Sequence, residues 1–212
     1  MKVNEIFYSI QGESSFAGCP CAFIRLSACD LRCTYCDTEY AFYEGREMSI
    51  PDILQAVEPY PAKLALVTGG EPMLQPPVHD LFRALLELDY TVCLETGGHR
   101  SLKDVDARVH KIMDLKCPSS GMVDRNDLGN IQYLTRADEV KFVVGDRLDF
   151  DWACEMTRKF DLPSRTGSVL FSPVHRKLEY EQLARWVLDS GLRVRMQVQL
   201  HKIIWPDVVR GV

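Results

Sequence analysis

The sequence predicts an α/β protein, an open and partial (β/α)6 TIM-like barrel, on three observations. Short aliphatic and β-branched runs alternate with helix-like segments about six times, which argues a parallel sheet with helices outside it. At 212 residues the chain is too short for a closed eightfold barrel, which typically takes about 250. The segments with chemical content each follow a predicted strand, and strand C-termini are where such architectures collect ligands.

The predicted strands are Ala22–Leu26, Leu64–Val67, Thr91–Glu95, Lys111–Leu115, Glu139–Val143, Val169–Phe171 and Arg193–Gln199. The predicted helices are Pro51–Val57, Val78–Leu88, Phe150–Lys159 and Tyr180–Leu188. Ser49, with Asp52 three residues later, forms a capping box that opens the first helix, and Gly191 stops the last. Residues 124–133 fit neither pattern. With no Ser/Gly linker, low-complexity tract or internal repeat, residues 1–212 read as a single domain.

Apolar side chains make up 46% of the chain, enough for a core of ordinary size. No apolar run approaches the ~20 residues of a membrane span. Met1 to Glu5 lead straight into structured sequence without the pattern of a signal peptide, so the expected location is the cytoplasm. A net charge of −5, with no run of Lys or Arg, leaves no basic footprint, and neither a nucleic acid nor a membrane is expected as partner.

Cys29, Cys33 and Cys36 form a C-x3-C-x2-C loop after the first predicted strand. Three clustered thiols favour metal binding in a reducing compartment, yet a closed zinc or electron-transfer iron–sulfur site takes four protein ligands. Three cysteines on a short loop can hold three irons of a [4Fe–4S] cube and leave the fourth open to a small molecule. The rival is a zinc or iron–sulfur binding module without catalytic role, completed by Cys19 or Cys21. Cys93, Cys117 and Cys154, in apolar or helical surroundings, read as packing residues. Thr68-Gly69-Gly70-Glu71-Pro72 follows the second predicted strand, and its glycines let backbone approach a ligand closely.

The cysteine spacing, with Tyr35 just before the last thiol, resembles the radical SAM superfamily, and the GGEP segment is similar to its cofactor loop. The resemblance implies a [4Fe–4S] cluster whose open iron chelates S-adenosylmethionine (SAM), with Gly70 and Glu71 at the methionine amino group. An electron from the cluster then cleaves SAM to a 5′-deoxyadenosyl radical.

The stretch Ser9-Ile10-Gln11-Gly12-Glu13, the strand Phe23-Ile24-Arg25-Leu26, Cys36-Asp37-Thr38 and Gln199-Leu200-His201-Lys202 narrow this further. Together they resemble the 7-carboxy-7-deazaguanine synthase family nearly end to end. That resemblance implies a ring-contracting lyase. It would convert 6-carboxy-5,6,7,8-tetrahydropterin to 7-carboxy-7-deazaguanine and ammonia in queuosine biosynthesis, regenerating SAM.

By the same resemblance, Ile10, Gln11, Gly12, Arg25, Thr68 and His201 meet the substrate. Tyr35, Asp37, Asp114, Leu115, Lys116, Ser172, Pro173, Val174 and His175 meet SAM, and the Thr38 hydroxyl binds Mg²⁺. A flavodoxin or ferredoxin donor and a homodimer are also implied. Taken without the family, Arg25 reads as an ion-paired strand arginine, Gln11-Gly12 as a turn and Thr38 as a helix cap. His201 reads equally as a core histidine, and His79 and His99 have no partner spacing. Family members commonly carry glycine where this chain has Ser14, so a positive φ there would strain the serine. A small radical SAM activase acting on a partner protein is the second alternative; it would lack the pterin-binding segments.

Overall fold

The computed structural model describes residues Met1–Val212. Its strands are β1 (Lys2–Ile10), β2 (Pro20–Leu26), β3 (Arg46–Glu47), β4 (Leu64–Gly69), β5 (Thr91–Thr96), β6 (His110–Asp114), β7 (Glu139–Val144), β8 (Ser168–Pro173) and β9 (Arg195–Met196). The helices are α1 (Ile50–Val57), α2 (Val78–Glu87), α3 (Arg147–Lys159), α4 (Leu162–Arg165), α5 (Tyr180–Ser190) and α6 (Leu200–Ile204). One nine-stranded sheet has the order β3-β1-β2-β4-β5-β6-β7-β8-β9. From β2 onward every neighbour is parallel, while β1 returns antiparallel on β2 and β3 on β1. The sheet curls into an open partial barrel, as the strand–helix alternation predicted.

Strand alternation builds two cores. Ala22, Ile24 and Leu26 of β2 pack outward with Val67, Ile53 and Leu81 beneath the helices. Cys21 and Phe23 face the lumen with Phe7, Leu66, Cys93 and Ile112. Two residues further along each strand, the next lumen positions are Arg25, Thr68, Glu95, Asp114 and Lys141, all bordering one cavity. An apolar floor thus carries a polar layer, and the period-two geometry of a strand enforces that layering.

Ser49 accepts from the Asp52 backbone and Asp52 from the Ser49 backbone, as the capping box predicts, and Gly191 ends α5 with φ of 62°. Two crossovers, β5 to β6 and β6 to β7, carry no α-helix. Gly97-Gly98 starts the first; Pro118, Gly121 and Gly129 break the second into 3-10 turns. Asn130 ties the two together, accepting from Leu102 N and donating to the Gly98 and Arg100 carbonyls.

The expected last strand, Arg193–Gln199, is reduced to Arg195–Met196, and the following residues form α6. The cause lies in the β1–β2 loop, which spans the open side of the barrel. Gly12 O accepts from Leu200 N at 2.9 Å, pulling the chain off the sheet. Gln197 accepts from Ser14 N at 2.9 Å, and Glu139 accepts from Ser15 N at 2.9 Å. Ser14 adopts a φ of 66°, and its hydroxyl accepts from Phe16 N, a local bond that offsets part of the left-handed strain. No helix is long and apolar enough to cross a membrane.

Candidate active site

A cavity of about 450 Å³ opens at the C-terminal ends of the strands, and Cys29, Cys33 and Cys36 all border it. The cysteine loop is fastened at Asp30, which takes His99 Nε2 at 2.6 Å, Arg100 at 2.5 Å and Arg125 at 3.4 Å. Leu31 is buried and pins the loop centre. Burial pushes the thiols of Cys29 and Cys33 above their usual range, so metal loading displaces their protons.

The glycine loop lies against this cysteine loop. Gly69 holds a φ of 140°, open to glycine alone, and Gly70 packs so closely on Ala28 that a Cβ would strike its carbonyl. Glu71 is fully buried and committed: its carboxylate accepts from Met73 N at 3.0 Å, Thr96 Oγ1 at 2.8 Å and Gly97 N at 2.9 Å. Its side chain therefore shapes the loop, leaving the loop backbone to meet a ligand. His99 bridges the two loops, with Nδ1 at 3.6 Å from Glu71. Sequence reasoning assigned His99 nothing, since its partners are 69 and 28 residues away and no local spacing marks them.

Below these loops lies a ring of buried charge. Lys141 Nζ sits 2.6 Å from Glu13, 2.5 Å from Glu95 and 3.7 Å from Asp114. Burial disfavours both charged forms, but the close pairing overrides it, holding Lys141 up and Glu95 down. Thr68 donates to Glu95 at 3.0 Å, and Lys116 pairs with Asp114 at 3.0 Å. Arg25 meets Glu5 through Nε at 2.7 Å, while its terminal nitrogens make no hydrogen bond within the protein. Glu95 and Lys141 escaped the sequence reading because an isolated strand charge carries no signal of its lumen position.

The far wall comes from residues after β2 and from α6. Lys202 pairs with Asp37 at 2.5 Å; Asp37 is half exposed, and against partial desolvation in the cavity mouth the Lys202 ammonium holds its carboxyl below the usual range. Thr38 precedes a 3-10 turn without capping it by its side chain, and its hydroxyl is 3.8 Å from Cys36 Sγ. His201, half-buried, stands where a Cβ on Gly12 would be, so the glycine and the histidine require one another. Burial and Lys202 depress the His201 pKa, with Glu13 and Asp37 opposing.

The cavity brings together all three cysteines, Ile10, Gln11, Gly12, Arg25, Tyr35, Asp37, Thr38, Thr68, Gly70, Glu71, Asp114, Lys116, Val174, His175 and His201. Leu115, Ser172 and Pro173 stand outside it, Leu115 in the outer core and the other two behind the wall as the end of β8. Val212 also borders the cavity, through a C-terminal tail fastened by Arg210 to Glu44 at 2.8 Å. Cys19 is exposed, Cys21 is buried in the apolar layer, and neither borders the cavity. Three soft thiolate donors beside a cradle too tight for any side chain fit a cluster with one open iron and a small chelating ligand.

An open α/β barrel with this cysteine loop and glycine cradle defines a radical SAM protein, and the sequence model of the Radical SAM superfamily matches residues 23–120. The crystal structure of QueE from Escherichia coli shares the fold at a TM-score of 0.74, with 21% identity and 94% of each chain covered. The 7-carboxy-7-deazaguanine synthase of Koribacter versatilis is 42% identical over the whole of both chains. That of Chlorobaculum tepidum is 45% identical over all of this chain and 97% of its own. The chain belongs to the 7-carboxy-7-deazaguanine synthase family.

Proposed function

We propose that this protein converts 6-carboxy-5,6,7,8-tetrahydropterin to 7-carboxy-7-deazaguanine and ammonia, for 7-deazapurine synthesis. The observation that carries the reading is one cavity with two unlike walls. On one side stand three thiols and the Gly69-Gly70 backbone; on the other, Arg25, Thr68, Glu95 and Glu13 present the charged and hydrogen-bonding groups a polar ring demands.

Cys29, Cys33 and Cys36 hold the [4Fe–4S] cluster, and the Gly70 and Glu71 backbone receives the amino group of SAM. Tyr35, Asp37, the Asp114–Lys116 strand end and the Ser172–His175 segment surround the rest of SAM, with Leu115, Ser172 and Pro173 contributing through backbone or support. When bound, cluster and SAM would supply a 5′-deoxyadenosyl radical. Ile10, Gln11, Gly12, Thr68 and His201 orient the pterin, and Arg25 offers its unpaired guanidinium edge to the carboxylate. The Thr38 hydroxyl, free of capping duty, is a Mg²⁺ ligand of the kind that leaves room for waters and substrate oxygens. The overall change expels ammonia and is redox-neutral, which agrees with catalytic use of SAM. A flavodoxin or ferredoxin donor and a homodimer belong to the same reading.

The polar layer of the lumen favours a small substrate over the activase alternative. The positions of Cys19 and Cys21 disfavour a four-cysteine metal module. The test is anaerobic turnover of the reconstituted protein with SAM, Mg²⁺, reductant and 6-carboxytetrahydropterin, followed by mass spectrometry. A product lighter by ammonia, exceeding the SAM consumed, supports the proposal. Release of 5′-deoxyadenosine with no such product leaves a radical SAM enzyme with another substrate.

A further inference from the structure

Arg25 is held from behind by two residues that do not border the cavity, Glu5 and Tyr40. Glu5 Oε1 accepts from Arg25 Nε at 2.7 Å and from the Tyr40 hydroxyl at 2.9 Å. The guanidinium carbon also lies 5.8 Å from the Phe7 ring centre and 5.9 Å from that of Tyr40. Ion pairing at Nε and two aromatic neighbours restrict the side chain and leave both terminal nitrogens free.

The backbone contains a device for this arrangement. The β1–β2 ladder slips between Val3 and Glu5, so Val3 faces Leu26 while Glu5 faces Arg25. In a regular strand, Val3, Glu5 and Phe7 would share one face. Here Val3 joins the outer core, whereas Phe7 joins the lumen cluster and Glu5 pairs with the lumen-facing Arg25. The irregularity switches the strand's phase and turns a carboxylate inward, a use typical of bulges beside active sites.

We propose that Glu5, turned inward by this bulge and braced by Tyr40, is a positioning residue that aims the Arg25 guanidinium edge at the carboxylate of the substrate. The inference rests on the pterin carboxylate reading above. Glu5 acts through Arg25 and touches neither substrate nor cofactor.

The test compares wild type with Glu5→Ala, Glu5→Gln and Tyr40→Phe in the reconstituted enzyme. Two quantities are read: KM for 6-carboxytetrahydropterin, and the inhibition constant of tetrahydropterin, which lacks the carboxylate. Misaiming one charged contact raises KM about tenfold in Glu5→Ala, with the inhibition constant unchanged. Glu5→Gln keeps an acceptor for Arg25 Nε and stays within about threefold of wild type. Should Glu5→Ala fail to fold, Tyr40→Phe serves alone: a KM rise of about threefold with unchanged inhibition supports the proposal. Equal weakening of both ligands, or no change in KM, overturns it. A wild-type enzyme that ignores the carboxypterin would instead overturn the functional reading, and the positioning role with it.

Discussion

Replacing Lys141 by methionine should expose how far the lumen depends on one ammonium. Nζ makes contacts of 2.6 Å with Glu13 and 2.5 Å with Glu95, and lies 3.7 Å from Asp114. At an effective dielectric of about 20, each short contact is worth about 6 kcal/mol of Coulomb attraction. Desolvation of the ammonium offsets several of these, and removal of one partner from a buried pair costs about 3–5 kcal/mol. Glu13 and Glu95 would then lose the ammonium they share, while Lys116, Arg25 and Lys202 are engaged with Asp114, Glu5 and Asp37.

The deficit has a definite pH dependence. In wild type the Glu95 pKa is depressed, so its contribution is present above the ordinary glutamate value and is lost as pH falls through the folded one. In the variant, repulsion raises the carboxyl pKa values, and acid relieves the penalty. Anaerobic urea denaturation of the cluster-loaded proteins should give a deficit of about 3–5 kcal/mol at pH 7 that shrinks towards pH 5. A deficit under about 1 kcal/mol, or one independent of pH, would refute the electrostatic account.

Serine at Cys29, Cys33 or Cys36 should abolish the cluster absorbance, whereas the Cys19→Ser, Cys21→Ser double variant should keep near-wild-type iron and sulfide content by chemical assay. Gly12→Ala places a Cβ against His201 and should raise KM for the pterin about tenfold, with substrate-free SAM cleavage unchanged. Because burial depresses the His201 pKa, its share of stability is present above the ordinary histidine value and lost as pH falls through the folded one. Thermal melts should therefore show wild type declining more steeply than His201→Gln below about pH 6.5.

Local signals were readable where the physics is local. The capping box at Ser49 and Asp52 acts within one helical turn, and Gly191 takes the left-handed conformation that ends a helix. The strands β4 to β8 are apolar runs because helices or lumen cover both faces. The first strand escaped notice: Lys2, Asn4 and Glu5 dilute its pattern, and the bulge breaks its alternation. The last strand was overdrawn because its bonding to β8 stops at Gln197, and the side chains of Gln197 and Gln199 turn to the β1–β2 loop.

The sequence by itself determined the cysteine loop, the glycine loop, the parallel strands β2 and β4 to β8, and the family. Each depends on residue types at short fixed spacings, which covalent geometry converts directly into structure. Only the tertiary structure decided which charges share the lumen, how Asp30, His99 and Glu71 join the two cofactor loops, and which edge of Arg25 stays free. Those outcomes depend on contacts between residues far apart in the chain, where a distance of a few ångströms in a dry interior separates a strong ion pair from none at all.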